Sequence, residues 1–213
     1  MKLLWSSRSP FVRKVMIVAH EKGLAGRIEQ VRTLVAPSKP NPDVMALNPL
    51  NKLPTLILED GRALYDSRVI AEHLDDIGTG AKLFPASGPN SGPNSGQDRL
   101  EALRRQALAD GTLDFLLLWL SERARPEPQQ SPELLAALDL KFKSAFDALE
   151  REAQALAKAP FGIGHIAIGA VLGYADFRYA KQNWRDGRPR LAAFAETILA
   201  RPSFQATAHA DVY

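Results

Sequence analysis

Residues 2–23 read KLLWSSRSPFVRKVMIVAHEKG. Leu3, Leu4 and Trp5 form a short apolar run that suits a strand, Ser6, Ser7 and Arg8 interrupt it, and from Pro10 a helical pattern continues until Gly23 stops it. The stretch therefore predicts a strand, a turn and a helix over 10–22. The polar triplet also comes too early for the apolar core of a secretory signal, and no apolar run in the chain approaches bilayer length. A cytoplasmic protein with no membrane partner is expected.

Working outward, a second strand is expected over 28–34, followed by a proline-rich stretch with Pro37, Pro40 and Pro42 and a helical turn over 43–47. Thr55-Leu56-Ile57-Leu58 and Arg62-Ala63-Leu64-Tyr65 flank Glu59-Asp60-Gly61, the pattern of a hairpin. Ser67 then opens a helix reaching 77. The order βαβαββα places a parallel crossover beside an antiparallel hairpin, which matches a thioredoxin-like α/β domain over 1–77. Residues 78–97 differ in character. They carry Ser-Gly-Pro-Asn twice over, turn formers without apolar content, and read as a linker. From 98 to 213 the period is helical: 98–120, then 131–156 with Phe142, Phe146 and Leu149 as its stripe, and 191–199, ended by Arg201-Pro202-Ser203. Residues 162–178 are apolar nearly all round, as a helix in the middle of a bundle would be. The second domain is expected to be all-helical.

Composition sets the outer limits. A chain of 213 residues, 46% hydrophobic and 24% charged, falls in the ordinary globular range and exceeds the commonest single-domain length, so two domains are expected. The net charge is only +3 and the basic residues are dispersed. The densest stretch, Arg185 to Arg190, is broken by Asp186, Gly187 and Pro189, so no nucleic-acid partner is expected. There are no cysteines, so disulfides, thiolate metal sites and a cysteine nucleophile are excluded and any thiol chemistry must use a borrowed thiol. His20, His73, His165 and His209 lie far apart without acidic companions, and no metal site is expected.

Three short segments carry candidate chemistry. Ser9-Pro10 is a favoured helix start in its own right. The same geometry also offers free N–H groups and positive potential to an anion, to which a serine hydroxyl can donate one more hydrogen bond. A thiolate is such an anion: a free thiol ionises near pH 8.5 and is only a few per cent thiolate at neutrality. Arg13, one turn on, can add field or serve as a pairing residue. Leu53-Pro54-Thr55 reads as a strand start preceded by the turn Asn48-Pro49-Leu50-Asn51-Lys52. Alternatively, the Leu53 backbone, unpaired at a sheet edge, would bond an extended peptide with Lys52 near its carboxylate. Asp66-Ser67 reads as a helix cap with Ser67 in the capping place, or as a carboxylate site at a helix start with Asp66 taking an adjacent ammonium.

Ser-Pro-Phe-x-Arg after the first strand, Asn-Pro-x-x-Lys-Leu-Pro-x-Leu, and Asp-Ser before a helix together resemble, in order and spacing, the glutathione S-transferase family. The likeness extends through the linker to Ala109-Asp110-Gly111 and the 162–178 helix. It implies that glutathione is the cosubstrate and that Ser9 contacts its sulfur. Leu53, before a cis Pro54, would pair with the cysteinyl backbone, Asp66 and Ser67 would hold the γ-glutamyl end, and Lys52 or Lys39 would meet the glycyl carboxylate, with Phe11 beside the site. Ser9-Pro10-Phe11 is similar to the Cys-Pro-Phe of omega-like members with serine in place of cysteine; a cysteine there forms mixed disulfides, whereas a serine stabilises a bound thiolate. Family members usually open the central helix of the second domain with a Ser/Thr and Asp capping box, and here Gly162-Ile163-Gly164-His165 stands in its place. The box is therefore expected to be missing, with His165 structural.

The resemblance also implies a homodimer and a hydrophobic electrophile pocket between the domains, for which Phe11, Leu108, Gly111, Phe115 and Trp119 are candidates. Two other readings stay open. The same thiolate can serve a glutathione-dependent isomerase, lyase, dehalogenase or peroxidase, and the fold can persist as a non-catalytic binding or regulatory protein.

Overall fold

A computed structural model of the chain describes residues 1–36, 38–86 and 95–211. Pro37 and residues 87–94, which include most of the expected linker repeat, lie outside the described residues. The chain divides into two compact units, Met1–Arg99 with Pro202–Tyr213, and Leu100–Arg201.

The first unit contains β1 (Lys2–Trp5), α1 (Pro10–Glu21), β2 (Glu29–Arg32), α2 (Pro42–Leu47), β3 (Thr55–Ile57), β4 (Ala63–Leu64) and α3 (Ser67–Ile77). The strands lie in the order β2-β1-β3-β4, with β1 parallel to β2 and antiparallel to β3, and β3 antiparallel to β4. This four-stranded mixed sheet with helices is the thioredoxin-like domain expected. Its core is Leu3 and Leu56 from the sheet with Val15, Ile17, Ile70 and Leu74 from α1 and α3, all fully buried; each such side chain stabilises the fold by about 1.5–3 kcal/mol. The hairpin closes as expected, Leu58 N–H donating to the Arg62 carbonyl at 2.9 Å.

Gly23, at φ +67°, ends α1 in the left-handed region that glycine enters without steric cost. Just before it, Lys22 is buried and its Nζ stands 3.0 Å from the Asp75 carboxylate. That carboxylate also accepts from the backbone N–H of Leu83 (2.9 Å) and Phe84 (3.2 Å), while Lys22 Nζ donates to the Ala81 carbonyl at 2.9 Å. Gly78 allows this approach: a Cβ there would lie 2.5 Å from Lys22 Cβ. The opening of the expected linker is thus hydrogen-bonded through its backbone to a buried ion pair that joins the end of α1 to α3.

The second unit is helical, as expected: α4 (Ser95–Arg123, entering the unit at Leu100), α5 (Pro132–Lys158), α6 (Ile163–Arg178) and α7 (Pro189–Leu199). Helix α6 is buried almost throughout, which is why its sequence shows no polar stripe. Trp119 joins Tyr179 and Phe142, with ring centroids 5.2 and 5.9 Å away. The Glu150 carboxylate on α5 accepts from the backbone N–H of Leu191 (2.7 Å) and Arg190 (3.4 Å) and from Arg190 Nε (2.9 Å), capping the start of α7 from a neighbouring helix.

Several expectations are corrected. The second strand is shorter than 28–34, because β2 pairs only through Arg32. Helix α7 ends at Leu199, just ahead of Arg201-Pro202-Ser203 as expected, but a further short helix not expected from the sequence, α8 (Pro202–Gln205), follows, with Pro202 in its first position, where the missing N–H costs nothing. Residues 202–211 group with the first unit rather than with the helical one. Half of the capping box of α6 is present: the Gly162 N–H donates to His165 Nδ1 (3.3 Å), with no glycine side chain to return a bond, and His165 Nε2 donates to the Leu156 carbonyl (2.9 Å). The bond that Nδ1 accepts requires the neutral ring, and burial, with the charges of Arg105 and Arg201, holds His165 below its usual pKa despite the opposing Leu156 bond.

Candidate active site

Topology brings the three candidate segments together. Strand β1 runs toward Ser6 and Ser9, and because β3 is antiparallel to it with Leu4 opposite Thr55, the start of β3 and the preceding Leu53-Pro54 lie at the end of the sheet where β1 stops. Strand β4 reverses again, with Leu64 opposite Leu56, so Tyr65, Asp66 and Ser67 leave the sheet at that same end. Helices α1 and α3 begin there, and ligands of α/β folds characteristically bind at such a strand end.

Ser9 caps α1 in extended backbone, its hydroxyl accepting from the Val12 N–H at 3.2 Å and its carbonyl from the Arg13 N–H at 3.0 Å. The first turn of α1 contains no acidic residue, so nothing in it offsets the positive helix start. The hydroxyl proton is not used by the cap, which engages only an oxygen lone pair. Phe11 is half-buried, and the buried Lys14 places its Nζ 5.6 Å from the Phe11 ring centroid. Arg13 is buried too and donates to the Phe204 carbonyl at 3.2 Å, so it is a pairing residue within the first unit.

The Leu53–Pro54 peptide is cis. Leu53 does not lie on an edge strand as expected. Strand β3 is interior, and the Leu53 backbone stands outside the ladder because pairing with β1 stops at Thr55. The turn before it is held by Asn48, 1% exposed, whose Nδ2 donates to the Lys52 carbonyl (3.1 Å) and to Thr55 Oγ1 (3.0 Å), and whose Oδ1 accepts from the Leu50 N–H (3.1 Å). The Lys52 and Lys39 side chains are exposed.

Asp66, rather than Ser67, caps α3: its carboxylate accepts from the Arg68 N–H at 2.9 Å and pairs with the Arg68 guanidinium at 3.0 Å. Ser67 instead occupies the first helical position, 3% exposed. Burial pushes the Asp66 carboxyl up, but the Arg68 bonds and the charges of Arg68 and Lys14 outweigh it and hold the group below the usual carboxylate range. Asp66 is therefore an anion at neutral pH. The Tyr65–Asp66 peptide is also cis.

Of the electrophile candidates on α4, Leu108 and Phe115 are half-buried and Gly111 is exposed, while Trp119 is 5% exposed within the aromatic cluster. Asn48, Thr55 and Lys14 were not singled out as supporting residues. The Asn-Pro dipeptide marks Asn48 as a turn former, but a buried lysine on an amphipathic helix leaves no local trace.

The fold and this sheet end define a thioredoxin-like domain joined to a helical one. Residues 8–77 match the family model described as glutathione S-transferase, N-terminal domain, and residues 132–197 the one described as glutathione S-transferase, C-terminal domain. Over 212 residues the chain is 34% identical to an uncharacterized GST-like protein, YibF, of Escherichia coli, covering 97% of this chain and 98% of that one. A glutathione transferase family member from Pseudomonas fluorescens, solved with bound glutathione, is 36% identical with a TM-score of 0.90, covering 98% of both chains. A glutathione S-transferase from Methylobacillus flagellatus, solved with glutathione bound, is 34% identical with a TM-score of 0.83, covering 98% and 99%. The chain belongs to the glutathione S-transferase family. Among the described residues no helix is long and apolar enough to cross a membrane.

Proposed function

We propose that the protein is a cytoplasmic glutathione transferase that holds the thiol of bound glutathione as a thiolate and directs it at a hydrophobic electrophile. The observation that carries this reading is Ser9 at the start of α1, its oxygen engaged by the Val12 N–H and its proton left to donate. With no cysteine in the chain, the sulfur that reacts is the ligand's. The thiol loses its proton to solvent, the Ser9 O–H and the helix start stabilise the anion, and sulfur attacks the electrophilic carbon as the leaving group departs with its electron pair.

Asp66, kept ionised, suits the γ-glutamyl ammonium, and Ser67 and the start of α3 suit the adjacent carboxylate. The Leu53 backbone, outside the ladder, suits the cysteinyl amide, and Lys52 or Lys39 the glycyl carboxylate. The glutathione seen in the P. fluorescens and M. flagellatus relatives supports the choice of ligand. Phe11, half-buried and two residues from Ser9, is an electrophile contact in this reading. Trp119 is set aside, since its ring is taken up by Tyr179 and Phe142. The family resemblance further supports a homodimer, which a monomer mass by light scattering would overturn.

The test is conjugation of glutathione to a halonitrobenzene by the purified protein and by Ser9→Ala. A hydrogen bond to a charged group is worth about 1.5–3 kcal/mol, so Ser9→Ala should lose roughly tenfold to a hundredfold in kcat/KM, with helix-start stabilisation supplying the remainder. Full activity in Ser9→Ala would refute the role of Ser9, and absence of glutathione binding by calorimetry would refute the reading as a whole.

A further inference from the structure

Residues 202–211 belong to the first unit, and their contacts converge on the segment that presents Ser9. Helix α8 packs on α1, with the Ser203 hydroxyl 2.5 Å from a Glu21 carboxylate oxygen and the Arg13 guanidinium 5.8 Å from the Phe204 ring centroid. Beyond α8 the chain runs beside the loop between β1 and α1. The Ser7 hydroxyl donates to the Ala210 carbonyl at 2.9 Å, and the Nδ1–H of His209 donates to the Ser7 carbonyl at 3.1 Å. The Arg8 guanidinium pairs with the Asp211 carboxylate at 3.0 Å and donates to its carbonyl at 3.4 Å. The hydroxyl and carbonyl of Ser7 and the charge of Arg8 are thus held by residues 209–211. Within the loop the Ser9 N–H donates to the Ser6 carbonyl at 3.2 Å, so displacement of Ser6–Arg8 carries Ser9 with it. Ala206, Thr207 and Ala208 also wall a cavity of about 80 Å³ together with Ser6, Ser7 and Ser9.

We propose that residues 206–211 form a positioning strap for the thiolate site, with Ser7, His209 and Asp211 as positioning residues that act through Ser9. The inference rests on the reading of Ser9 given above. Donors aimed at a developing charge are effective because they need not reorganise during reaction, and within the four-residue loop Ser6–Ser9 the bonds run from the Ser9 N–H to the Ser6 carbonyl and, at 3.4 Å, from the Arg8 N–H to the Ser6 hydroxyl. To these the strap adds bonds from residues about two hundred positions away. The strap bonds named above all reach Ser7 and Arg8, next to Ser9, so the strap bears on the sulfur end of the ligand.

The experiment compares the intact chain with one ending after Thr207, with Ser7→Ala and Asp211→Asn combined, and with Ser9→Ala. Three quantities are read: the pH at which bound glutathione ionises, from thiolate absorbance; kcat; and the affinity for S-methylglutathione, which has no thiol to ionise. The shortened chain and the double variant should shift ionisation toward that of the free thiol and lose about tenfold or more in kcat, as a small misplacement of reacting groups does. The affinity for S-methylglutathione should change little, and Ser7→Thr should retain most of the kcat lost in Ser7→Ala. Circular dichroism reports whether the shortened chain is folded; where it is not, the double variant decides. Wild-type ionisation and kcat in the folded variants, with Ser9→Ala altered, would overturn the strap alone. An unaltered Ser9→Ala would overturn the Ser9 role, and with it the strap as defined.

Discussion

Replacing Asp75 by alanine should destabilise the first unit by at least about 3 kcal/mol, the lower end of the cost of breaking a buried ion pair from one side. The side chains of Lys22 and Asp75 are 1% and 2% exposed and stand 3.0 Å apart. Without the carboxylate, Lys22 Nζ keeps the Ala81 carbonyl at 2.9 Å and a longer contact to the Gly80 carbonyl at 3.5 Å, but no negative partner at bonding distance within this cluster. The backbone N–H groups of Leu83 and Phe84 lose their acceptor as well, each an orphan worth about 1–3 kcal/mol when it stays dry. These losses share one site and do not add in full. Lys22→Met should cost less, since the carboxylate it leaves retains two amide donors. Urea unfolding followed by circular dichroism reads the effect; with a slope of about 1–3 kcal/mol per molar, the Asp75→Ala midpoint should fall by about 1 M or more. A loss below about 1 kcal/mol, or additive losses in the Lys22→Met/Asp75→Ala cycle, would show that the pair is not a coupled, dry interaction.

Three further outcomes are expected. The folded pKa of His165 is depressed below 6.5, so its unfolded form binds the proton more readily: stability is complete above about pH 6.5 and drains as pH falls through the folded value. Thermal melts between about pH 8 and 5 should show this decline in the native chain and less of it in His165→Gln, and superimposable profiles would contradict it. Glu150→Ala removes a buried acceptor from the start of α7 and should cost about 1–3 kcal/mol, readable as loss of hydrogen-exchange protection at Arg190 and Leu191 if the cap is real. Asp66→Ala should lower the affinity for glutathione and remove a helix cap worth about 0.5–2 kcal/mol; calorimetry showing undiminished affinity would remove Asp66 from the γ-glutamyl site.

The parts of the fold legible in the sequence are those where one element reports on itself. The apolar circumference of 162–178 announced a helix buried on all sides, Gly23 announced the end of α1, and Glu59-Asp60-Gly61 announced the hairpin. The three site segments were legible because each lies at an element boundary, where capping and turn chemistry is written in one or two residue types. Choosing between Asp66 and Ser67 as cap was not, since both are good caps and only backbone geometry decides which faces the free amide. His165 was read as structural, but its bond from the Gly162 N–H goes with a ring held by the Leu156 carbonyl, nine residues away. The Lys22–Asp75 pair and the attachment of 202–211 left no trace at all, because contacts between distant positions impose no period on either segment.

The return of residues 202–211 to the first unit bears on the order in which the protein is assembled during synthesis. In chain order the helical unit, Leu100–Arg201, is an insertion interrupting the unit that contains Ser9. The ribosome therefore completes all four long helices before it delivers the segment that contacts Ser7 and Arg8. Until then the nascent first domain has its sheet and its two framing helices but not its full complement of contacts on α1. Moving 202–211 by circular permutation to precede Met1 would reverse that schedule while asking the same residues to meet.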